Sequence, residues 1–94
     1  MHYSLWATKK IGELEIPVTQ FIRDYGLGKG GLNTAKRFDP TSANLVILCE
    51  CLNEARGGNQ QDLDMLLLEA IRSTRTYQHA AERIAQRTEG DKKQ

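Results

Sequence analysis

The chain has 94 residues, a length that suits a single domain with one modest hydrophobic core. Its 13 lysines and arginines stand against 12 aspartates and glutamates, so the formal charge is +1 and a histone-like coat for nucleic acid is excluded. The longest apolar run, residues 45–49, has five residues, whereas a membrane-spanning helix needs about 20.

The cysteines and the N-terminus predict a protein of the reducing cytoplasm. Cys49 and Cys51 are two positions apart, so on a helix their side chains point roughly 200° apart and do not readily form a disulfide. Small secreted domains usually carry more cysteines. No basic region precedes an apolar stretch near residue 1, so we expect no signal peptide. We therefore expect a cytoplasmic chain that does not contact a membrane.

The first part of the chain, residues 4–14, does not select one secondary structure. Ser4 can cap a helix there, although Gly12 weakens it, and a short strand over residues 3–7 is the alternative. The apolar residues that would line one side of the helix are Leu5, Trp6, Ala7, Ile11 and Leu14.

A short helix followed by a sharp turn is predicted over residues 17–26. Pro17 suits the first helical position because its missing N–H costs nothing there. Gly26 then supplies a left-handed stop. The apolar positions at one-face spacing are Val18, Phe21, Ile22 and Tyr25.

A second short helix, over about 31–38, follows a glycine-rich joint. Leu32, Ala35 and Phe38 recur every three residues, and Pro40 ends the helix. In a helix-turn-helix, the turn glycine adopts positive φ and the residues packed between the two helices are apolar or small. Gly26, Leu27, Leu32 and Ala35 fit those positions.

The outward residues of this second helix all carry groups that hydrogen-bond bases or phosphates. We expect its cationic members to hold phosphates or guanines and its neutral members to lie nearer base edges. They are Lys29, Asn33, Thr34, Lys36 and Arg37.

The stretch 17–53 resembles the Cro/repressor-type helix-turn-helix family, and within it the helix-turn-helix antidotes of toxin–antitoxin pairs. Gly31-Leu32 looks like the glycine-leucine pair that opens the recognition helix there. Pro40-Thr41, followed by spaced leucines, looks like the step that opens the next helix. The resemblance implies a sequence-specific, DNA-binding transcriptional regulator, which as a homodimer would place two recognition helices ~34 Å apart in the major groove.

Two further helices are predicted to form an antiparallel pair. Thr41 or Ser42 caps the first, over 42–56, and Gly57-Gly58 end it. Asn59 caps the second, over about 60–88, which Gly90 ends, leaving 89–94 as a frayed tail. The inward residues of the first are Leu45, Leu48, Cys49, Leu52 and Ala55.

The predicted helix over 60–88 is ~42 Å long, more than a single 94-residue chain readily covers. We therefore expect this helix to form a homodimer, or to bind a partner protein, unless the monomer is compact and the helix is shorter or kinked. The expected interface residues are Leu63, Leu66, Leu67, Ile71 and Ile84.

No catalytic set stands out, so we expect no enzyme, cofactor or metal site. His2 and His79 have no fixed relation to a carboxylate or thiol, and Gly28-Lys29 is followed by Gly30 rather than by the Ser or Thr of a phosphate loop. The sequence thus predicts a single all-α domain, with a helix-turn-helix-like N-terminal half and a C-terminal helical hairpin.

Two other functions stay open. One is a small phage- or plasmid-encoded helical protein that inhibits or adapts a partner protein and binds no DNA. Its working surface would be the helix 60–88, with Arg72, Arg75 and Arg83 exposed. The other is an accessory DNA-binding protein of a mobile element, of the relaxosome type.

Overall fold

The structure of the protein, a computed structural model, describes residues 2–27 and 39–92, with side chains through residue 87. Those ranges contain five α-helices and no strand, which confirms the prediction of an all-α chain. The predicted helix over 31–38 lies outside the described residues. The helices are α1 (Tyr3–Glu13), α2 (Val18–Asp24), α3 (Ser42–Arg56), α4 (Gln60–Arg72) and α5 (Arg75–Lys92).

Residues 3–7 belong to α1, so the alternative of a short N-terminal strand is wrong. Four of the eleven residues of this helix are buried at the spacing of one helical face. Burial of these side chains outweighs the cost of Gly12 in a helix, about 1 kcal/mol relative to alanine. Ser4 lies in the first turn, and His2 occupies the N-cap position without a side-chain cap. The buried residues are Tyr3, Trp6, Ala7 and Ile11.

One hydrophobic core holds α1 to α4 together. It receives the inward face of α1, Phe21 of α2, and residues of α3 and α4, whereas the described side chains of α5 contribute none. Lys10 Nζ lies 3.0 Å from Glu69 Oε1, an ion pair that joins α1 to α4 at the edge of the core. The core residues of the α3–α4 pair are Leu45, Leu48, Cys49, Leu52, Leu66 and Ala70.

The connection between α3 and α4 is only three residues long, and the two helices pack against each other as predicted. Gly57 adopts φ +67°, and the N–H of Gly58 donates to the Asn53 carbonyl oxygen at 2.9 Å, which is the Schellman way to end a helix. Asn59 then caps α4 and forms a reciprocal capping box with Asp62. The predicted ends of both helices at this turn are thereby confirmed.

The predicted single helix over 60–88 is wrong, because the chain breaks between α4 and α5. Ser73 Oγ donates to the Ala70 carbonyl oxygen and Thr74 Oγ1 to the Ile71 carbonyl oxygen, both at 2.6 Å. Such side-chain bonds to the preceding turn compete with, and bend, regular helix. The hairpin therefore consists of α3 and α4, and α5 is a separate helix.

The α5 helix continues beyond the predicted end. It includes Gly90 and reaches Lys92, so the predicted tail from residue 89 is helical for most of its length. Residues 81–87 are all exposed. The first turns of α5 meet the end of α4, and the rest of its described side chains face solvent.

Candidate functional site

The turn after α2 has the conformation predicted for the corner of a helix-turn-helix. Gly26 adopts φ +62°, and its N–H donates to the Arg23 carbonyl oxygen at 3.3 Å. The N–H of Leu27 reaches back to the Ile22 carbonyl oxygen at 3.0 Å, which completes a Schellman motif. Ile22 and Leu27 are half-buried and pack on the core, so the corner is anchored by apolar contact as well as by backbone bonds.

The residues predicted to contact DNA follow this corner and lie outside the described residues. They are Lys29, Asn33, Thr34, Lys36 and Arg37. The structure does describe both ends of the segment that contains them, Leu27 and Asp39. Leu27 packs on the core, and Asp39 is bonded to the start of α5, so both attachment points are fixed.

Asp39 forms an N-terminal cap for α5 from a distant part of the chain. Its carboxylate accepts hydrogen bonds from the backbone N–H of Arg75 at 2.7 Å and of Thr76 at 2.8 Å. Partial burial opposes ionisation of this carboxyl, but the bonds from Thr76 and Arg75 and the Arg75 charge outweigh burial and lower the pKa of Asp39. The carboxylate is thus the favoured form in the folded chain.

The structure divides the predicted interface residues between the core and the surface. Leu66 is a core residue of the single chain, only 1% exposed, and is therefore not available to a partner. Leu63 and Leu67 are half-buried against the same core. Ile71 and Ile84 are exposed, as an interface requires.

Three more apolar side chains, beyond the five expected interface residues, are exposed on the same two helices. Met65 and Leu68 lie on the outer side of α4, and Tyr77 lies on α5. The apolar run in 63–68 is wider than one helical face and predicts that Met65 and Leu68 need cover, since a helix in a hairpin buries only one side. We call the exposed set the outer apolar row: Met65, Leu68, Ile71, Tyr77 and Ile84.

A second side of α5 is cationic. Basic residues recur every four positions along it, which keeps them on one slowly turning strip of the helix. Arg75, Thr76, His79 and Arg83 line an open concavity of about 350 Å³, and Arg83 Nε donates to the His79 carbonyl oxygen at 3.5 Å. All described members are exposed. We call this strip the cationic face: Arg75, His79, Arg83 and Arg87.

The described residues offer no reactive thiol. Cys49 is fully buried, and burial, with a smaller effect of the Glu69 charge, raises its pKa to about 12. Burial and the neighbouring Glu54 and Glu50 also raise the pKa of Cys51. A thiol held in its protonated form is a poor nucleophile and a poor metal ligand. Among the described side chains, no three of His, Cys, Asp or Glu are placed to hold a metal ion.

None of the helices in the described ranges is long and apolar enough to span a membrane. In comparisons with known proteins, no family model matches the chain, and neither a curated protein nor a solved structure matches it.

Proposed function

We propose that the protein is a sequence-specific DNA-binding regulator that acts as a homodimer in the cytoplasm. The observation that supports the proposal is the corner after α2, where Gly26 at φ +62° and the Leu27–Ile22 backbone bond give the kind of turn that a helix-turn-helix requires. In the sequence, the stretch after this corner carries Lys36 and Arg37, whose side chains fit phosphates and guanines.

In this mechanism the residues after the corner form the recognition helix, over about 31–38. Asn33 and Thr34 contact base edges, while Lys29, Lys36 and Arg37 hold phosphates or guanines. Two copies then read a palindromic site with their recognition helices ~34 Å apart.

The outer apolar row supports the dimer part of the proposal. Ile71 and Ile84 are exposed at 45% and 59%, and the other members of the row are exposed on the same two helices. Large apolar side chains that are exposed in this number favour an interaction with another chain. Pairing with a second copy supplies it and places two DNA-binding halves in one molecule.

A salt-dependent titration tests the proposal. Fluorescence anisotropy is measured with labelled genomic duplex fragments and with random duplexes, beside sedimentation to give the mass. We expect tighter binding to a subset of genomic fragments, and we expect Lys36→Ala and Arg37→Ala each to flatten the salt slope by about one. Lys9→Ala, an exposed lysine on α1, is the matched control. Failure of the parent to bind any duplex at low salt would overturn the proposal.

A second function is favoured by the same outer apolar row. If a different protein binds the outer apolar row, the chain is a helical inhibitor or adaptor without DNA affinity. An amphipathic helical surface suits a groove on such a partner. Sedimentation, measured together with duplex binding, distinguishes these two functions. A monomer that binds no duplex favours the inhibitor or adaptor, and a dimer that binds duplex favours the regulator.

A further inference from the structure

We propose that the cationic face of α5 is a second nucleic-acid contact, one that holds the phosphate backbone outside the predicted recognition helix. The inference rests on the proposed DNA-binding function and extends it to a surface more than 35 residues further along the chain. It concerns affinity and orientation, because contacts to phosphates position a protein without reading sequence.

The spacing of the basic side chains along α5 suits the row of phosphates in a nucleic-acid backbone. Arg75, His79, Arg83 and Arg87 are each four residues apart, so they advance ~6 Å per step and cover ~18 Å of the helix axis. Duplex DNA carries roughly one negative charge per 1.7 Å of its own axis. A strip of this length can therefore meet several phosphates at once. The concavity of about 350 Å³ beside Arg83 gives room for a phosphate group between guanidinium and imidazole donors.

The local charge also favours an anionic partner. Over residues 75–87 three arginines stand against one carboxylate, Glu82. The Asp39 carboxylate at the start of α5 offsets one further charge, which leaves +1 with His79 neutral. The guanidinium of Arg83 donates to the backbone of its own helix, and Arg87 is exposed one turn further along. Exposed arginines add little to the stability of a fold, so Arg83 and Arg87 are well placed to meet phosphates.

A nucleic-acid backbone fits this face better than an acidic protein does. Protein interfaces centre on buried apolar or aromatic anchors surrounded by polar residues. The cationic face carries no large apolar side chain, because Tyr77 and Ile84 lie roughly 130° around the helix from its midline. Binding to a phosphate backbone requires positive charge and hydrogen-bond donors, and this side of α5 provides both.

The two sides of α5 are compatible in one assembly. When the outer apolar row is covered by a second copy, the cationic face stays open to solvent, and the dimer then presents two such faces. The start of α5 is held by Asp39, which also ends the segment that carries the predicted recognition helix. The same carboxylate therefore links the two proposed DNA contacts.

The test compares two double variants of the full chain in the same salt titration. Arg83→Gln with Arg87→Gln removes two charges from the cationic face, and glutamine keeps the helix because its propensity is close to that of arginine. Lys9→Gln with Arg56→Gln removes two exposed charges elsewhere and is the matched control. Circular dichroism verifies that both variants stay helical.

We expect the first variant to lower the salt slope by about two and to weaken duplex binding at least about 10-fold at 0.1 M salt, for random and preferred duplexes alike. The control should keep the parental slope. Glu82→Gln should bind more tightly than the parent, because it removes the one carboxylate from this stretch.

The outcomes separate this inference from the function it extends. If the parent binds a preferred duplex and the α5 variant keeps its slope, the α5 inference is wrong and the regulator proposal stands. If the parent binds no duplex at any salt, both fail. If the α5 variant instead loses binding to an acidic protein while the parent ignores DNA, the face serves a protein partner and the inference is overturned.

Discussion

The carboxylate of Asp39 accepts a hydrogen bond from the backbone N–H of Arg75 at 2.7 Å, across 36 positions of sequence. A second bond, from Thr76 N–H at 2.8 Å, makes the same side chain an N-terminal cap for α5. Helix N-termini leave N–H groups without partners within the helix, and an anion there also meets the positive end of the helix dipole. Together with the Thr74 hydroxyl, which accepts from the Tyr77 N–H at 3.3 Å, this contact caps the N-terminus of α5.

Removing the Asp39 cap should destabilise the fold. We expect Asp39→Ala to cost about 1–2 kcal/mol of unfolding free energy, the range for loss of an N-terminal cap, measured by urea denaturation. The matched control is Glu50→Ala, an exposed acid within α3, which should change stability by no more than about 0.5 kcal/mol. Equal stabilities for the parent and Asp39→Ala would contradict the role of the cap.

The same contact should make stability depend on acid. The folded chain lowers the pKa of Asp39 below its ordinary value of 3.8, so the unfolded chain binds the proton more tightly. The contribution is therefore fully present above the ordinary value and is lost as the pH falls through the lower folded value. Urea denaturation at a series of pH values should show the difference between the parent and Asp39→Ala constant near neutrality and shrinking in acid. A difference that grows in acid would contradict this assignment.

Replacing Gly26 with any residue that has a Cβ should lower the stability of the fold. A Cβ there meets no atom within 4 Å, so the penalty comes from the backbone φ of +62° alone. We expect Gly26→Ala to cost about 1–2 kcal/mol, with a larger loss for Gly26→Val. Gly12→Ala is the control: it lies inside α1 with open space around it, and it should stabilise by about 0.5–1 kcal/mol. Melting temperatures that rise for both alanine variants would show that the corner is not left-handed in solution.

The outer apolar row should set the oligomeric state. Under the homodimer proposal, Leu68→Glu and Ile84→Glu should each shift sedimentation at micromolar concentration from dimer toward monomer, because a buried unpaired carboxylate is costly at an interface. Leu5→Glu, an equally exposed leucine on α1 outside the row, should leave the mass unchanged. A parent chain that sediments as a monomer up to high concentration would remove the basis for this prediction.

The two thiols should differ in reactivity. Cys49 is fully buried with its pKa raised to about 12, and Cys51 is half-buried. We expect a maleimide to label Cys51 faster than Cys49 in the native chain, and both at similar rates in urea, as followed by mass spectrometry. Labelling of Cys49 should therefore report unfolding, and rapid native labelling there would contradict its place in the core.

Short-range sequence signals, namely capping residues and glycines, were enough to predict the bounds of several helices. The bounds of α3 follow from Thr41 at its start and Gly57 at its end, since capping oxygens and positive-φ glycines act within a few residues of the helix end that they fix. The left-handed turn at Gly26 follows for the same reason. The position of α1 was ambiguous because short apolar segments fit a helix and a strand about equally well until their partners are known.

The tertiary structure alone decided the rest. Thr74 caps α5 locally by accepting from the Tyr77 N–H, but the second cap comes from Asp39, 36 positions away, which no local pattern could bring there. Likewise, Leu66 and Met65 are adjacent and both apolar, yet one is buried and the other exposed, because the direction from which α3 packs selects one side of α4. Propensities and caps are short-range and can be read along the chain. Burial and long-range caps depend on which distant segments meet, and so they appear only in the folded molecule.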